Sequence, residues 1–190
     1  MEEYKELEFK YRADDVSLVA FVNLMNEVGF KVRKDVSSWD FYYTHADTKE
    51  EFLRFRDSDN PELTIKRKVK SSNNWERVEI DLPLDAKRVT KKTVDSWTSL
   101  EGYVGNFTIY KSCFIFWQDL INMVYYVVYD EDMKEKGRFI EIEVNKDKVE
   151  GIGGVEMAFQ QLKEMEKRLT TLGINPQNRL KKSLFEMFVK

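Results

Sequence analysis

Glu6, Glu8 and Lys10 carry charge at alternate positions near the start of the chain. In a β-strand alternate side chains share one face of the sheet, so this run predicts a strand with Leu7 and Phe9 on the opposite, apolar face. Carboxylate oxygens bind hard divalent cations, and a lysine ammonium binds phosphate oxygens. The charged face is therefore suited to holding metal ions beside a polyanion.

The same alternation recurs in other segments. Glu141 and Glu143 share a face near the other end of the chain, and basic residues share faces elsewhere, as Arg54 does with Arg56. Two interpretations are open: a sheet with one face in water, or a barrel that gathers the charges inside and covers its apolar outer face with helices. Charges of both signs inside a barrel are costly unless they pair or a ligand fills the space, and a triphosphate with divalent metals would do so.

Bulk composition narrows the class of protein. The chain has 190 residues, 42% of them hydrophobic and 34% charged, with a net charge of only −3, which argues against a protein that coats nucleic acid. Cys113 is the single cysteine and His45 the single histidine, so a disulfide framework, a histidine zinc site and a histidine-dependent triad are not expected. The charged start and the lack of a long apolar run predict a cytoplasmic protein without membrane contact.

Alternation and turn residues predict eight strands that form antiparallel hairpins. The predicted strands cover 4–12, 37–44, 51–57, 62–70, 75–82, 107–117, 122–130 and 137–145. Helical periodicity predicts four helices, over 16–28, 91–101, 155–172 and 176–189. We expect one α+β domain over 1–190, with a C-terminal helical segment over 155–190.

The order of short motifs resembles the CYTH domain of the triphosphate tunnel metalloenzymes. Glu6-Leu7-Glu8-Phe9-Lys10 matches the ExExK signature that opens that domain. Further segments resemble the later motifs of the family in the same order: 38–43 (D-x-Y type), 53–56 (R-x-R), 63–66 (L-T-x-K), 77–81 (R-x-E-x-E), 137–143 (G-x-F-x-E-x-E) and 182–188 (terminal helix). The resemblance therefore covers nearly the whole chain.

The resemblance implies an eight-stranded antiparallel β-barrel, a triphosphate tunnel with helices packed outside. It implies a set of phosphate-binding residues: Lys10, Arg54, Arg56, Lys66, Arg77 and Lys111. It implies one or two Mg²⁺ or Mn²⁺ ions, held by a set of carboxylates: Glu6, Glu8, Glu79, Asp130, Glu141 and Glu143. The implied catalytic residues are Lys10, Glu6 and Glu8, with Lys10 acting either as a base or as an orienter of water.

Three positions depart from the family pattern. Cys113 stands where the K-x-R motif has its arginine, so one phosphate contact is missing or supplied elsewhere. Asp81 replaces the last glutamate of R-x-E-x-E with a shorter carboxylate. Leu184 stands where the terminal motif usually has tyrosine, which argues against a contribution of the terminal helix to the site.

Three functions compete at this point. The first is metal-dependent hydrolysis of a triphosphate: inorganic triphosphate, a nucleoside triphosphate, thiamine triphosphate or an RNA 5′ end, the last being the only nucleic-acid partner considered. The second is a class IV adenylate cyclase, which would need a purine pocket that nothing in the sequence marks. The third is a binding protein for phosphorylated ligands without turnover. A homodimer is a further expectation, since related folds often dimerise.

Overall fold

The computed structural model describes residues 4–30, 32–47, 51–68, 76–118, 120–144 and 155–189. Its eight strands are β1 (Tyr4–Arg12), β2 (Val32–His45), β3 (Glu51–Asp57), β4 (Glu62–Lys68), β5 (Glu76–Pro83), β6 (Tyr103–Gln118), β7 (Ile121–Tyr129) and β8 (Glu135–Val144). Its α-helices are α1 (Leu18–Glu27), α2 (Lys91–Leu100), α3 (Val155–Leu169) and α4 (Leu184–Phe188). Two 3₁₀ turns, Thr170–Leu172 and Pro176–Asn178, follow α3.

The strands form a closed antiparallel barrel in the order β1-β5-β4-β3-β2-β6-β7-β8. β1 closes it by pairing with two strands at once, since Leu7 lies opposite Glu76 of β5 and Glu8 lies opposite Glu143 of β8. An eight-stranded barrel is just wide enough for side chains to fill its interior or to enclose one small ligand. The expected α+β barrel with outer helices is confirmed.

The two faces of β1 show why the barrel closes with its charges inside. Phe9 and Tyr11 are almost fully buried and belong to the core that includes Phe21 of α1 and Leu162 of α3. Lys10, between them in sequence, faces the barrel interior instead. Alternation thus gives the apolar face to the outer helices and the charged face to the lumen, so the interpretation with a solvated charged face does not apply.

Side-chain caps mark where two of the outer helices begin. The Ser17 hydroxyl accepts the backbone N–H of Ala20 at 3.1 Å before α1, and the Thr90 hydroxyl accepts that of Thr93 at 3.3 Å before α2. Such caps satisfy donors that have no partner within the helix. Among the described helices, none is both long enough and apolar enough to cross a membrane.

The C-terminal prediction of one helix over 176–189 is wrong. Residues after the 3₁₀ turn run extended along the barrel, and the backbone N–H of Leu180 donates to the carbonyl of Lys10 at 2.8 Å. A new helix starts only at Ser183, whose hydroxyl accepts from the Glu186 N–H while the Glu186 carboxylate accepts from the Ser183 N–H. This capping box, together with the pairing to β1, divides the segment in two.

Arg179 fastens the extended C-terminal segment to the outside of β1. Its guanidinium lies 3.6 Å from the centroid of the Phe9 ring and pairs with the buried carboxylate of Glu166 on α3. The hydroxyl of Tyr11 donates to the same carboxylate. This cluster joins strand, helix and C-terminal segment, and so it determines where α4 meets the barrel.

The other strand boundaries differ from prediction by a few residues, with two larger exceptions. β2 begins at Val32 rather than at 37, and β6 begins at Tyr103 rather than at 107. The two strands pair with each other from end to end, Val32 opposite Trp117 and His45 opposite Tyr103. Long-range pairing thus extends both strands through stretches whose local sequence lacks clear alternation.

Candidate functional site in the barrel lumen

A cavity of about 260 Å³ lies inside the barrel. Every strand contributes to its lining, and so do residues 183–185 at the C-terminus. We call the charged lining residues of β1, β3, β4, β5 and β8 the charged wall: Glu8, Lys10, Arg54, Arg56, Glu62, Lys66, Glu79, Asp81, Glu141 and Glu143.

Lys10 lies between two carboxylates of the charged wall. Its ammonium is 3.1 Å from Glu8 and 2.8 Å from Glu141, and all three side chains are largely buried. Burial opposes the charge on this ammonium, but Glu141 and Glu8 outweigh burial and raise the pKa of Lys10. Burial likewise opposes ionisation of Glu141, but Lys10 and Lys111 outweigh it and lower the pKa of Glu141. Lys10 and Glu141 are therefore both charged at neutral pH.

Neighbouring polar side chains orient the carboxylates of β8. The hydroxyl of Tyr126 donates to Glu141 at 2.8 Å, and the side-chain amide of Asn122 donates to Glu143 at 2.9 Å. Both donors lie on β7, next to β8 in the sheet. The sequence did not single out Tyr126 or Asn122, since their role depends on the pairing of β7 with β8.

Arg56 is held by a carboxylate that the sequence-based site did not include. Its Nε and Nη2 donate to the two oxygens of Asp40 at 2.9 and 3.1 Å, and Ser38 donates to Asp40 at 3.2 Å. Asp40 is 0% exposed. Burial raises its pKa, but the cations Arg56, Arg54 and Lys111 outweigh burial and keep the pKa of Asp40 well below its usual range. Asp40 belongs to segment 38–43, which resembles the D-x-Y motif, so the motif could have identified it as a site residue.

Arg54 brings a second guanidinium to the same side of the lumen. Its Nη2 donates to Thr64 at 2.9 Å and to Glu62 at 3.2 Å. Its Nε is buried, and no acceptor in the described ranges reaches it. A buried donor without an acceptor costs free energy, so an anionic oxygen bound there would stabilise the site.

Two lysines add to the basic side chains that the described residues bring to the lumen. Lys66 lies 2.9 Å from Glu79, both of them well enclosed. Lys111 is 7% exposed and points its ammonium at the face of the Tyr126 ring, 4.4 Å from the centroid. Within the described part of the chain no carboxylate comes within ion-pair distance of Lys111. Its charge is therefore available to an incoming anion.

Three predicted site residues are not brought into this cavity by what the structure describes. Asp130 lies at the turn between β7 and β8, where its carboxylate accepts the backbone N–H groups of Asp132 and Lys134 at 3.1 and 2.9 Å. These bonds hold the turn, and the Asp130 carboxylate does not line the lumen. The backbones of Glu6 and Arg77 lie opposite each other in β1 and β5, but their side chains fall outside the described residues.

The C-terminal segment does line the site, in contrast to what Leu184 led us to expect. Ser183, Leu184 and Phe185 all face the cavity. Phe185 stacks on Phe52 of β3 with ring centroids 4.5 Å apart, and both are nearly buried. Aromatic packing of α4 thus holds the C-terminal segment against the lumen, although the family tyrosine is absent.

Neither the cysteine nor the histidine provides a nucleophilic centre in the lumen. Burial raises the pKa of the Cys113 thiol, although Lys111 and Arg56 lie near enough to oppose this. A protonated thiol is a poor nucleophile. His45 ends β2, where its Nδ1 accepts the backbone N–H of Asp47 at 3.1 Å, and it is not part of the cavity lining.

Solved structures share this fold at low sequence identity. The PH1012 protein from Pyrococcus horikoshii OT3 is 18% identical, with a TM-score of 0.73 and with 97% of this chain and 99% of that chain covered. A Vibrio parahaemolyticus protein described as a "putative adenylate cyclase" is 13% identical, with a TM-score of 0.66 and 96% of each chain covered. A Bacillus halodurans protein with the same description is 15% identical, with a TM-score of 0.65 and 100% of each chain covered.

These comparisons establish the fold, whereas the activity has to be inferred from the residues of the site. No protein-family model matches the chain, and no curated protein sequence does. The closed order of eight antiparallel strands around a charged lumen is the barrel that the CYTH-like motifs led us to expect, and these solved structures share its fold. A fold of this kind does not by itself specify a reaction.

Proposed function

We propose that the protein is a divalent-metal-dependent phosphohydrolase that acts on a triphosphate bound in the lumen. The observation that supports this most is the convergence of five basic side chains on one cavity that also contains carboxylates: Lys10, Arg54, Arg56, Lys66 and Lys111. A polyanion is the ligand that such a set recognises.

The arginines and the lysines would bind the phosphates in different ways. Arg54 and Arg56 present planar guanidinium groups, which can bind two oxygens at once, and the Nε of Arg54 is already short of an acceptor. Lys66 and Lys111 approach as point charges from other strands. Because Asp40 holds Arg56 through two hydrogen bonds, this guanidinium is preorganised before a ligand arrives.

The carboxylates of β1 and β8 have the chemistry of a hard-cation site. Glu8, Glu141 and Glu143 offer only oxygen donors from adjacent strands, which suits Mg²⁺ or Mn²⁺, and Glu6 and Glu79 are further proposed ligands. Within the described ranges no three acidic, histidine or cysteine side chains are grouped tightly enough to ligate an ion by themselves. Mg²⁺ usually takes only one or two carboxylates and completes its shell with water and phosphate oxygens, so the donor set fits.

Such an ion, when bound, neutralises phosphate charge and lowers the pKa of a coordinated water. The protein's own side chains position the substrate and neutralise its charge. Lys10, fixed between Glu8 and Glu141, would face the transferring phosphoryl group and orient the attacking water. Phosphoryl transfer depends mainly on positioning and on charge stabilisation, so no covalent intermediate on a side chain is required. Water attacks the terminal phosphorus, and the bond to the bridging oxygen breaks to release orthophosphate.

Product analysis tests this proposal directly. The protein is incubated with Mg²⁺ or Mn²⁺ and with inorganic triphosphate or ATP, and the products are separated by ion exchange. We expect orthophosphate together with pyrophosphate or ADP. Cyclic AMP and pyrophosphate from ATP would instead establish a cyclase, which the description of two structural neighbours makes the second proposal. Binding without any product would overturn both and indicate a phosphate-binding protein.

A further inference from the structure

One part of the lumen carries no charge. We call it the apolar wall: Val36 of β2, Cys113 and Ile115 of β6, and Val124 of β7. Val36 lies opposite Cys113 across β2 and β6, and Ile115 lies opposite Val124 across β6 and β7. The four side chains therefore form one continuous surface on three neighbouring strands.

The apolar wall borders the groups that would hold the phosphates. Lys111 precedes Cys113 by two residues on the same face of β6, which places their Cα atoms about 6.6 Å apart along the strand. On the other side Val124 lies opposite Glu141 in the pairing of β7 with β8. A ligand whose phosphates reach Lys111 and the Glu141 region would therefore bring its adjoining atoms onto the apolar wall.

The chemistry of the wall distinguishes two kinds of triphosphate. Inorganic triphosphate is charged along its whole length, so any phosphate placed on this surface would lose water without gaining a partner. A triphosphate ester ends in an uncharged carbon group, which gains free energy when it leaves water for the same surface. Val36, Cys113 and Ile115 are only partly buried, so apolar area remains for a ligand to cover.

We propose that the apolar wall binds the organic group of the substrate, so that a triphosphate ester with an apolar or aromatic group is preferred over inorganic triphosphate. This inference rests on the proposed function only in placing the phosphates among the basic residues of the lumen.

A pair of ligands with equal charge tests the wall. Monomethyl triphosphate and monophenyl triphosphate differ only in the size of the apolar group. Dissociation constants are measured by calorimetry with the full chain, with and without Mg²⁺, and kcat/KM is measured wherever product forms. We expect the phenyl ester to bind at least about tenfold more tightly than the methyl ester, since one methylene in an apolar pocket is already worth about tenfold or more.

Variants identify the surface responsible. Ile115→Thr keeps a β-branched side chain and removes apolar area, so the preference for the phenyl ester should fall several-fold with little change in methyl ester binding. Val104→Thr is the matched control, because Val104 lies on the same strand but is 62% exposed outside the cavity lining. The comparison of the two ligands on the unmodified protein remains decisive if Ile115→Thr fails to fold.

The outcomes separate this inference from the proposed function. Preference for the phenyl ester without any product would leave the apolar wall in place and overturn the hydrolase. Turnover with equal kcat/KM for the two esters would support the hydrolase and overturn the apolar wall as a specificity element. Binding of neither ester, or equal loss of both in Ile115→Thr, also contradicts the inference.

Discussion

The charged wall and the apolar wall line one cavity but are held by different interactions: ion pairs and hydrogen bonds in the first, apolar contacts in the second. On the charged wall, buried groups hold one another in place, as Lys10 does with Glu8 and Glu141. On the apolar wall, Ile115 and Val124 meet through non-directional contacts. Removing one partner of a buried ion pair leaves an uncompensated charge, whereas trimming an apolar side chain removes only its contacts. The lumen is therefore sensitive to substitution on one side and tolerant on the other.

The largest effect on turnover is expected where the charged wall is broken at its centre. Glu141→Gln removes a proposed metal ligand and leaves Lys10 with Glu8 alone, so we expect kcat to fall by about a hundredfold or more. The assay is metal-dependent phosphate release, with folding checked by circular dichroism. Glu131→Gln, at an exposed position outside the lumen, is the matched control. Retention of full activity in Glu141→Gln would contradict the metal assignment.

The largest effect on stability is expected at Asp40. Asp40→Asn keeps the shape of the side chain but leaves the guanidinium of Arg56 enclosed without its counter-charge, for which we expect a loss of about 3 kcal/mol in the free energy of unfolding. Asp35→Asn provides the comparison, because the Arg33–Asp35 pair is exposed and should contribute less than about 1 kcal/mol. Urea unfolding measures both variants. Equal losses would show that burial does not distinguish the two ion pairs.

The difference between native protein and Asp40→Asn should depend on pH. Because the pKa of Asp40 is lower in the folded state than the ordinary value of 3.8, its contribution is fully present above about pH 4 and declines as the pH falls further. Between the unfolded and the folded pKa the decline is about 1.4 kcal/mol per pH unit. Urea unfolding of both proteins at pH 7, 5 and 3 measures this decline. A difference that stays constant down to pH 3 would contradict the electrostatic explanation.

The smallest effect is expected on the apolar wall. Cys113→Ala removes one small apolar group, so KM for a triphosphate ester should rise by up to about tenfold, with a smaller change in kcat. If the thiol were the nucleophile, kcat would instead fall by about 10⁴-fold or more. Steady-state kinetics distinguishes the two results. A fall of that size in kcat for Cys113→Ala would contradict the assignment of Cys113 to the apolar wall. It would also be at odds with the raised pKa of the Cys113 thiol.

Local sequence predicted the structure well wherever a feature depends on a single strand. The alternation around Glu8 and Lys10 predicted both the strand and its charged face, and the motif order predicted the tunnel fold. It was less informative where the role of a residue depends on a partner far along the chain. Tyr126 orients Glu141 only because β7 pairs with β8. Asp130 is a different case, because its expected role as a metal ligand came from the resemblance, whereas its carboxylate accepts backbone N–H groups within its own turn.

The division between sequence and tertiary structure follows from the range of the interactions. The side-chain period of two determined, from the sequence alone, which residues share a strand face, because this depends only on backbone geometry. Closure of the barrel decided that those faces meet around one cavity. The pairing of β2 with β3 decided that Asp40 holds Arg56, and the docking of α4 decided that Phe185 lines the cavity beside Phe52. These last features require separate elements of the chain to be brought together, and local sequence alone does not specify which elements pair.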